Sequence, residues 1–176
     1  MARDAGKLGI PPSRLSYYEK MDLIKRIARG VYQGVDVKID IDFQWEDLIL
    51  TAKSVHNGVI CLVSALSIYD LTEEITRAYW IAIPHGTTAP KRLKARFVRM
   101  RDISTGKQSI NFAGETIVIF NRERTIVDAF RYLAPEIAIK ALRKAIKQKI
   151  DMRKLQRYAK KFRVNIDPYI IAVTTI

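Results

Sequence analysis

The first twenty residues carry two short helical patterns separated by a turn, and this order constrains the N-terminal fold more than any other feature. Residues 2–8 suit a short helix, and Gly9 can adopt the positive φ that a tight turn often requires. Pro12 suits the first turn of a following helix over 13–20, because its missing N–H is not needed there. The pattern therefore predicts two consecutive helices joined by a tight turn.

A β-hairpin is predicted directly after the second helix. Residues 23–27 and 31–33 are rich in apolar and β-branched side chains, and they flank the short segment 28–30. A helix followed by such a hairpin is the arrangement with which winged helix-turn-helix domains bind duplex DNA. The sequence thus predicts a partial winged helix-turn-helix, whose first helix is either encoded upstream of Met1 or missing from this copy.

Basic and polar side chains on the second helix and the hairpin are the candidates for DNA contact. If the helix enters the major groove, its polar side chains face base edges or phosphates, and the hairpin cations meet phosphates or the minor groove. A solvated helix face and a basic hairpin without function are the alternatives. The predicted DNA-binding residues are Ser13, Arg14, Ser16, Tyr17, Lys20, Lys25, Arg26 and Arg29.

The charge of the whole chain supports a polyanionic partner. The net charge is +13 and the isoelectric point about 10.0, which indicates nucleic acid, an acidic protein or an anionic membrane surface. No apolar run reaches the roughly 18 residues of a membrane span, and the N-terminus has no secretion signal. The only cysteine, Cys61, lies in an apolar run and cannot form an intramolecular disulfide. We therefore expect a cytoplasmic protein without a membrane partner.

An acidic stretch over 36–47 predicts the boundary between an N-terminal module, 1–34, and a larger domain, 35–176. Segment 35–44 alternates apolar and acidic residues and suits either a linker or an edge strand. The larger domain is predicted to be mixed α/β (α+β), ending in basic helices. Its predicted helices are 45–55, 59–69, 122–133, 135–150 and 151–162, its strands are 79–83, 93–100, 108–112 and 116–120, and 165–176 forms a docked tail.

The two basic C-terminal helices predict a second charged surface. Their cations recur at spacings of three and four residues, opposite the apolar residues, and like charges stacked in this way repel. A polyanion-binding surface is the favoured interpretation, with a merely solvated face and a protein-binding face as alternatives. The residues are Lys140, Arg143, Lys144, Lys147, Lys154, Arg157 and Lys161. The basic strand 91–101 has the same interpretation.

The sequence does not predict an enzyme, a metal site or a cofactor. The two histidines, His56 and His85, have no metal-ligand partner at helical spacing, and no Gly-rich nucleotide-binding motif is present. Asp36-Val37-Lys38 is the nearest match to a metal-dependent nuclease motif, but such a tripeptide often arises by chance. Asp128 lies among apolar residues and is expected to pair with Arg124 or Arg131. Trp45 and Trp80 are expected in the core.

Four segments together resemble one protein family. They are Arg29–Tyr32, Gly58–Leu66, Tyr79–Pro84 and Arg122–Phe130, and they follow one another at family-like spacing over nearly the whole chain. In this order they resemble the AbiE-type antitoxins, which are transcriptional regulators of type IV toxin–antitoxin and abortive-infection systems.

The resemblance implies a winged helix-turn-helix followed by an α/β antitoxin domain. It also implies that the protein represses its own operon by binding operator DNA, and that it counteracts a nucleotidyltransferase-type toxin without forming a stable complex. An RNA- or toxin-binding protein that uses the C-terminal basic helices, without sequence-specific DNA binding, is the alternative.

Overall fold

A computed structural model of the chain describes residues 2–28, 30–35, 43–75, 77–89 and 94–175. It is a mixed α/β protein that divides into two compact units. The first unit comprises Met1–His56 together with Ala113–Glu115, and the second comprises Asn57–Phe112 and Thr116–Ile176. Residues 36–42 of the predicted linker or edge strand and residues 91–93 of the predicted basic strand lie outside the described residues. None of the described helices combines the length and the apolar character needed to cross a bilayer.

The first unit contains the predicted pair of helices and the predicted hairpin. Gly9 occupies the turn between the helices with φ of +74°, and Pro12 begins the second helix. Leu15 is buried, as is Val31 in the hairpin, and the second helix contacts the first hairpin strand. The elements are α1 (Ala2–Lys7), α2 (Pro12–Lys20), the antiparallel strands β1 (Ile24–Ala28) and β2 (Val31–Gly34), and α3 (Phe43–Ser54).

A five-stranded mixed sheet forms the centre of the second unit, with strand order β5-β4-β3-β7-β6. The short central strand pairs antiparallel with β4 and parallel with β7, while β4 and β5 run parallel. The two last strands confirm the predicted hairpin. The strands are β3 (Val59–Ile60), β4 (Tyr79–Pro84), β5 (Ala95–Met100), β6 (Lys107–Phe112) and β7 (Glu115–Phe120).

Five helices of the described residues complete the second unit and share an apolar core. Side-chain caps begin two of them as predicted: Asn121 accepts a hydrogen bond from the Arg124 N–H, and Asp151 from the Lys154 N–H. Apolar residues of all five helices, among them Leu66, Ile126, Leu142 and Leu155, share one core. The helices are α4 (Leu62–Ile68), α5 (Arg122–Tyr132), α6 (Pro135–Lys147), α7 (Met152–Phe162) and α8 (Asp167–Thr174).

The prediction of one helix over 59–69 is wrong in its first part. Val59–Ile60 form β3, and the helix begins only at Leu62, whose φ of +46° turns the chain from strand to helix. The Cys61 N–H donates to the Trp80 carbonyl, so the strand pairing continues to the helix boundary. A short, fully buried apolar run can form either a strand or a helix, and its sequence pattern does not distinguish the two. The segments that pack against it decide which one forms.

The prediction that the tail 165–176 docks on the body is confirmed, because Tyr169, Ile170 and Val173 pack on the core, and helix α8 forms within it. Two smaller predictions need correction. Helix α6 ends at Lys147 rather than near Ile150, since Lys149 adopts φ of +57° and the Ile150 N–H donates back to the Ala145 carbonyl. The tryptophans predicted for the core, Trp45 and Trp80, are half-buried. Trp80 packs against the core cluster that contains Val59 and Phe120, and the Arg96 guanidinium lies 4.2 Å from the centroid of its ring.

Candidate nucleic-acid interface

Helix α2 presents one polar stripe to solvent. Ser13, Ser16, Tyr17 and Lys20 recur at the spacing of one helix face, and Arg14 lies beside them; all five side chains are exposed. Tyr17 is 56% exposed, although its apolar ring would favour burial, and its ring centroid lies 5.9 Å from that of the tilted Tyr18 ring. The buried Leu15 holds the helix from its other side. The helix therefore displays an aromatic ring, hydroxyl groups and cations together.

The hairpin adds two exposed cations. Lys25 pairs in register with Gln33 and Arg26 with Tyr32, so the consecutive cations point to opposite faces of the hairpin. The Arg26 guanidinium lies 6.0 Å from the Tyr32 ring. Arg29 lies outside the described residues. None of Arg14, Lys20, Lys25 and Arg26 forms an ion pair with a described residue, so their charges remain available to a polyanion.

The predicted second basic surface is divided by the tertiary structure. The four cations of α6 line one cavity of about 260 Å³, together with the segment Leu71–Glu74. Lys161 on α7 lines a different cavity. The four α6 cations are Lys140, Arg143, Lys144 and Lys147.

Acidic side chains from other segments neutralise part of this surface. The Lys144 Nζ lies 3.1 Å from a Glu73 carboxylate oxygen, and the Lys154 Nζ lies 3.2 Å from Glu123. The Lys161 Nζ lies 2.9 Å from Asp102. Arg157 stays exposed and forms no ion pair with a described residue. Acidic side chains outside the two helices therefore compensate three of the seven predicted cations.

A buried arginine in the second unit organises the start of α5. The Arg124 side chain is fully buried and donates from Nε to Asp128 Oδ2 at 2.7 Å, which confirms the predicted pair. Its Nη1 donates to the Thr105 carbonyl at 2.9 Å, and Nη2 to the Asp102 carbonyl at 3.1 Å. The guanidinium carbon lies over two aromatic rings, 4.4 Å from the Phe120 centroid and 4.0 Å from the Phe162 centroid. One side chain therefore ties α5, α7 and the loop 102–106 together.

Asp128 bridges this buried arginine to the surface. Its second oxygen accepts from the Arg131 Nη1 at 3.0 Å, and Arg131 is about 30% exposed. Burial raises the pKa of Asp128, and the two guanidinium groups act in the opposite direction. Sequence spacing predicted this pair, but nothing in the sequence indicated the loop carbonyls that Arg124 also holds.

Asp102 orders the loop that Arg124 holds. Its carboxylate accepts from the backbone N–H and hydroxyl of Ser104, from the N–H and hydroxyl of Thr105, and from Lys161. Partial burial raises the pKa of Asp102, but these hydrogen bonds together outweigh it and hold the pKa well below its usual value. The group is therefore a fixed carboxylate at neutral pH.

We expect Asp102→Asn to lower the free energy of unfolding by about 1–2 kcal/mol at pH 7. In acid, this difference between the variant and the wild type should disappear. Because the pKa of Asp102 is lower in the folded chain than in the unfolded one, its contribution is fully present above about pH 4 and disappears as the pH falls further. Urea unfolding of both chains between pH 7 and pH 2 measures the difference. Glu74→Gln, at an exposed carboxylate, is the control; a difference that stays constant with pH would contradict the assignment.

The described residues contain no group of three or more histidine, cysteine and acidic side chains arranged to hold a metal ion. Cys61 is fully buried, and burial raises the pKa of its thiol well above its usual value. His85 follows β4 in an exposed loop, and its backbone N–H donates to the Met100 carbonyl. Asp36 and Lys38 of the nuclease-like tripeptide lie outside the described residues.

Comparison with known proteins adds no assignment to this geometry. No protein-family model matches the chain, and no curated protein matches it.

Proposed function

We propose that this chain is a DNA-binding regulator of the AbiE antitoxin type, and that α2 with the β1–β2 hairpin is its DNA-reading module. The observation that carries the proposal is the exposed polar stripe of α2, which is directly followed by a hairpin with two exposed cations. Arg14 and Lys20 of the helix and Lys25 and Arg26 of the hairpin form no ion pair with a described residue. A net charge of +13 favours the same partner.

In this proposal each group has a separate task on the duplex. Arg14 suits bidentate contact with a guanine edge in the major groove, and the hydroxyls of Ser13 and Ser16 suit bases or phosphates. Lys25 and Arg26 on the hairpin bind phosphates or the adjacent minor groove, which sets the orientation of the helix. Tyr17 supplies an exposed ring for apolar contact with thymine methyl groups or sugars.

The antitoxin part of the proposal is supported by the resemblance of the four ordered segments. In such a protein the DNA-reading module represses the operon, and the α/β unit counteracts a nucleotidyltransferase-type toxin without a stable complex. Three of the four segments lie in the second unit, in β3 with α4, in β4 and in α5. The second unit is therefore the part to which we assign toxin neutralisation.

Titration of the full chain into a labelled duplex from upstream of its gene, against a scrambled duplex at two salt concentrations, tests the proposal. We expect a preference of about 10³-fold or more for the upstream duplex. The double variant Arg14→Ala with Arg26→Ala should weaken binding at least about 10-fold, since one base contact and one phosphate contact are lost.

Arg77→Ala with Arg153→Ala is the matched control, because it removes two exposed arginines outside both predicted surfaces. Binding of the Arg14 and Arg26 variant at wild-type strength would overturn the assignment of the DNA-reading module. Equal, steeply salt-sensitive binding of both duplexes by the wild type would instead favour the alternative, in which exposed α6 cations such as Lys140 and Arg143 bind RNA or the toxin.

A further inference from the structure

A cavity of about 460 Å³ opens in the second unit where the parallel strands β4 and β5 end. His85 follows β4, residues 99–102 close β5, and side chains of α5 and α7 complete the wall. In α/β proteins, loops beyond the carboxyl ends of parallel strands are the usual place for ligands. The volume also falls within the range of about 300–1,000 Å³ for small-molecule sites.

The wall of this cavity has an excess of positive charge. Arg99, Arg101, Arg124, Arg131 and Lys161 line it, and among the described residues the carboxylates that pair with them are Asp102 and Asp128. Within the described part of the chain, five cations therefore face two carboxylates, which leaves an excess of three positive charges. Arg101 is exposed and forms no ion pair with a described residue, and Arg99 donates to the Thr87 carbonyl at 3.3 Å.

Carboxylates fix the positions of two of these cations. Asp128 orients Arg131, which lies 5.0 Å from the Phe162 ring, and Asp102 orients Lys161. Cations already placed by a carboxylate partner lose less side-chain entropy when they bind an anion. The planar guanidinium group can donate two parallel hydrogen bonds to the oxygens of a phosphate.

The wall also offers apolar surface. Met100 and Phe162 line the cavity, and Tyr132 is 40% exposed beside them. An aromatic ring next to a phosphate-binding group is a combination that suits a base attached to a phosphate chain. A simple inorganic anion would leave this part of the cavity unused.

We propose that this cavity binds a free nucleotide, with its phosphates on Arg99, Arg101 and Arg131 and its base against Tyr132 and Phe162. The proposal does not depend on DNA binding by α2. The phosphates of a nucleic-acid backbone offer the same chemistry, so the test separates the two sources.

Calorimetric titration of the full chain with ATP, inorganic pyrophosphate, adenosine and sulfate, at matched ionic strength, tests the proposal. We expect saturable one-to-one binding of ATP, weaker binding of pyrophosphate, and none of adenosine or sulfate in the same range. Arg101→Glu should raise the Kd for ATP at least about 10-fold, because a charge-assisted contact becomes repulsive.

Arg153→Glu is the matched control, since Arg153 is exposed and lies outside this cavity. We expect it to leave the Kd for ATP within about twofold of the wild type. Equal loss in both variants, or no saturable binding of ATP, would overturn the proposal. If ATP does not bind but Arg101→Glu weakens duplex binding, the cavity contacts a nucleic-acid backbone and the nucleotide assignment is wrong.

Discussion

Replacing Arg124 by alanine is expected to lower the free energy of unfolding by about 3–5 kcal/mol, the largest effect of any substitution considered. The variant removes the 2.7 Å contact with Asp128 and leaves that buried carboxylate with Arg131 alone. It also takes away the donors to the Asp102 and Thr105 carbonyls, and it opens a gap between Phe120 and Phe162. Both losses follow from removing a side chain that is fully buried.

Urea unfolding followed by circular dichroism measures this effect, and Arg153→Ala, at an exposed arginine, should change stability by less than about 0.5 kcal/mol. Asp128→Ala and the double variant complete a cycle. Because either single change strands a buried charge, the double variant should cost less than the two single changes together. Additive losses, or an Arg124→Ala chain as stable as the control, would show that the buried pair does not stabilise the fold.

Gly106→Ala is expected to cost about 2–4 kcal/mol, which combines backbone strain with a steric clash. Gly106 adopts φ of +76°, a conformation that residues with a Cβ rarely take. A Cβ placed there would lie 2.6 Å from the Arg124 Cβ and 3.1 Å from the Asn121 Oδ1. The clash would push the loop away from Asn121, the residue that caps α5. The Asn121 backbone N–H donates to the Gly106 carbonyl, so this hydrogen bond would also be strained.

Gly114→Ala separates the two contributions. Gly114 has the same φ of +76°, in the turn between β6 and β7, but a Cβ there meets nothing within 4 Å. Thermal or urea unfolding should therefore show a loss of about 1–2 kcal/mol for Gly114→Ala, from strain alone, and a clearly larger loss for Gly106→Ala. Equal losses would mean that the contact with Arg124 carries no steric cost.

Helices, turns and hairpins that are marked by a few neighbouring residues were predictable from the sequence. Pro12 and Gly9 mark α2 and the turn before it, Asn121 and Asp151 cap α5 and α7, and the hairpins follow from alternating apolar segments. Segments whose character depends on their neighbours were not predictable. Residues 59–60 became a strand because β4 and β7 flank them, and α8 formed because the core offers its side chains an apolar surface.

The candidate sites divide in the same way. The stripe on α2 follows from residue spacing alone, because neighbours on a helix face are set by the sequence. The cavity at the ends of β4 and β5 has no such signal, since its residues come from positions as distant as His85 and Phe162. The separation of the α6 cations from Lys161 was equally hidden, because it depends on which loop each helix packs against.

By itself, the sequence determined the local elements, the excess of positive charge and the spacing that places Arg124 four residues before Asp128. Only the tertiary structure decided that this arginine is fully buried, that it holds two loop carbonyls, and that the cations around it face a common cavity. The physical reason is the separation along the sequence between the residues that interact. Caps, turns and helix faces act over a few residues, whereas burial and charge pairing depend on segments that meet only when the chain has folded.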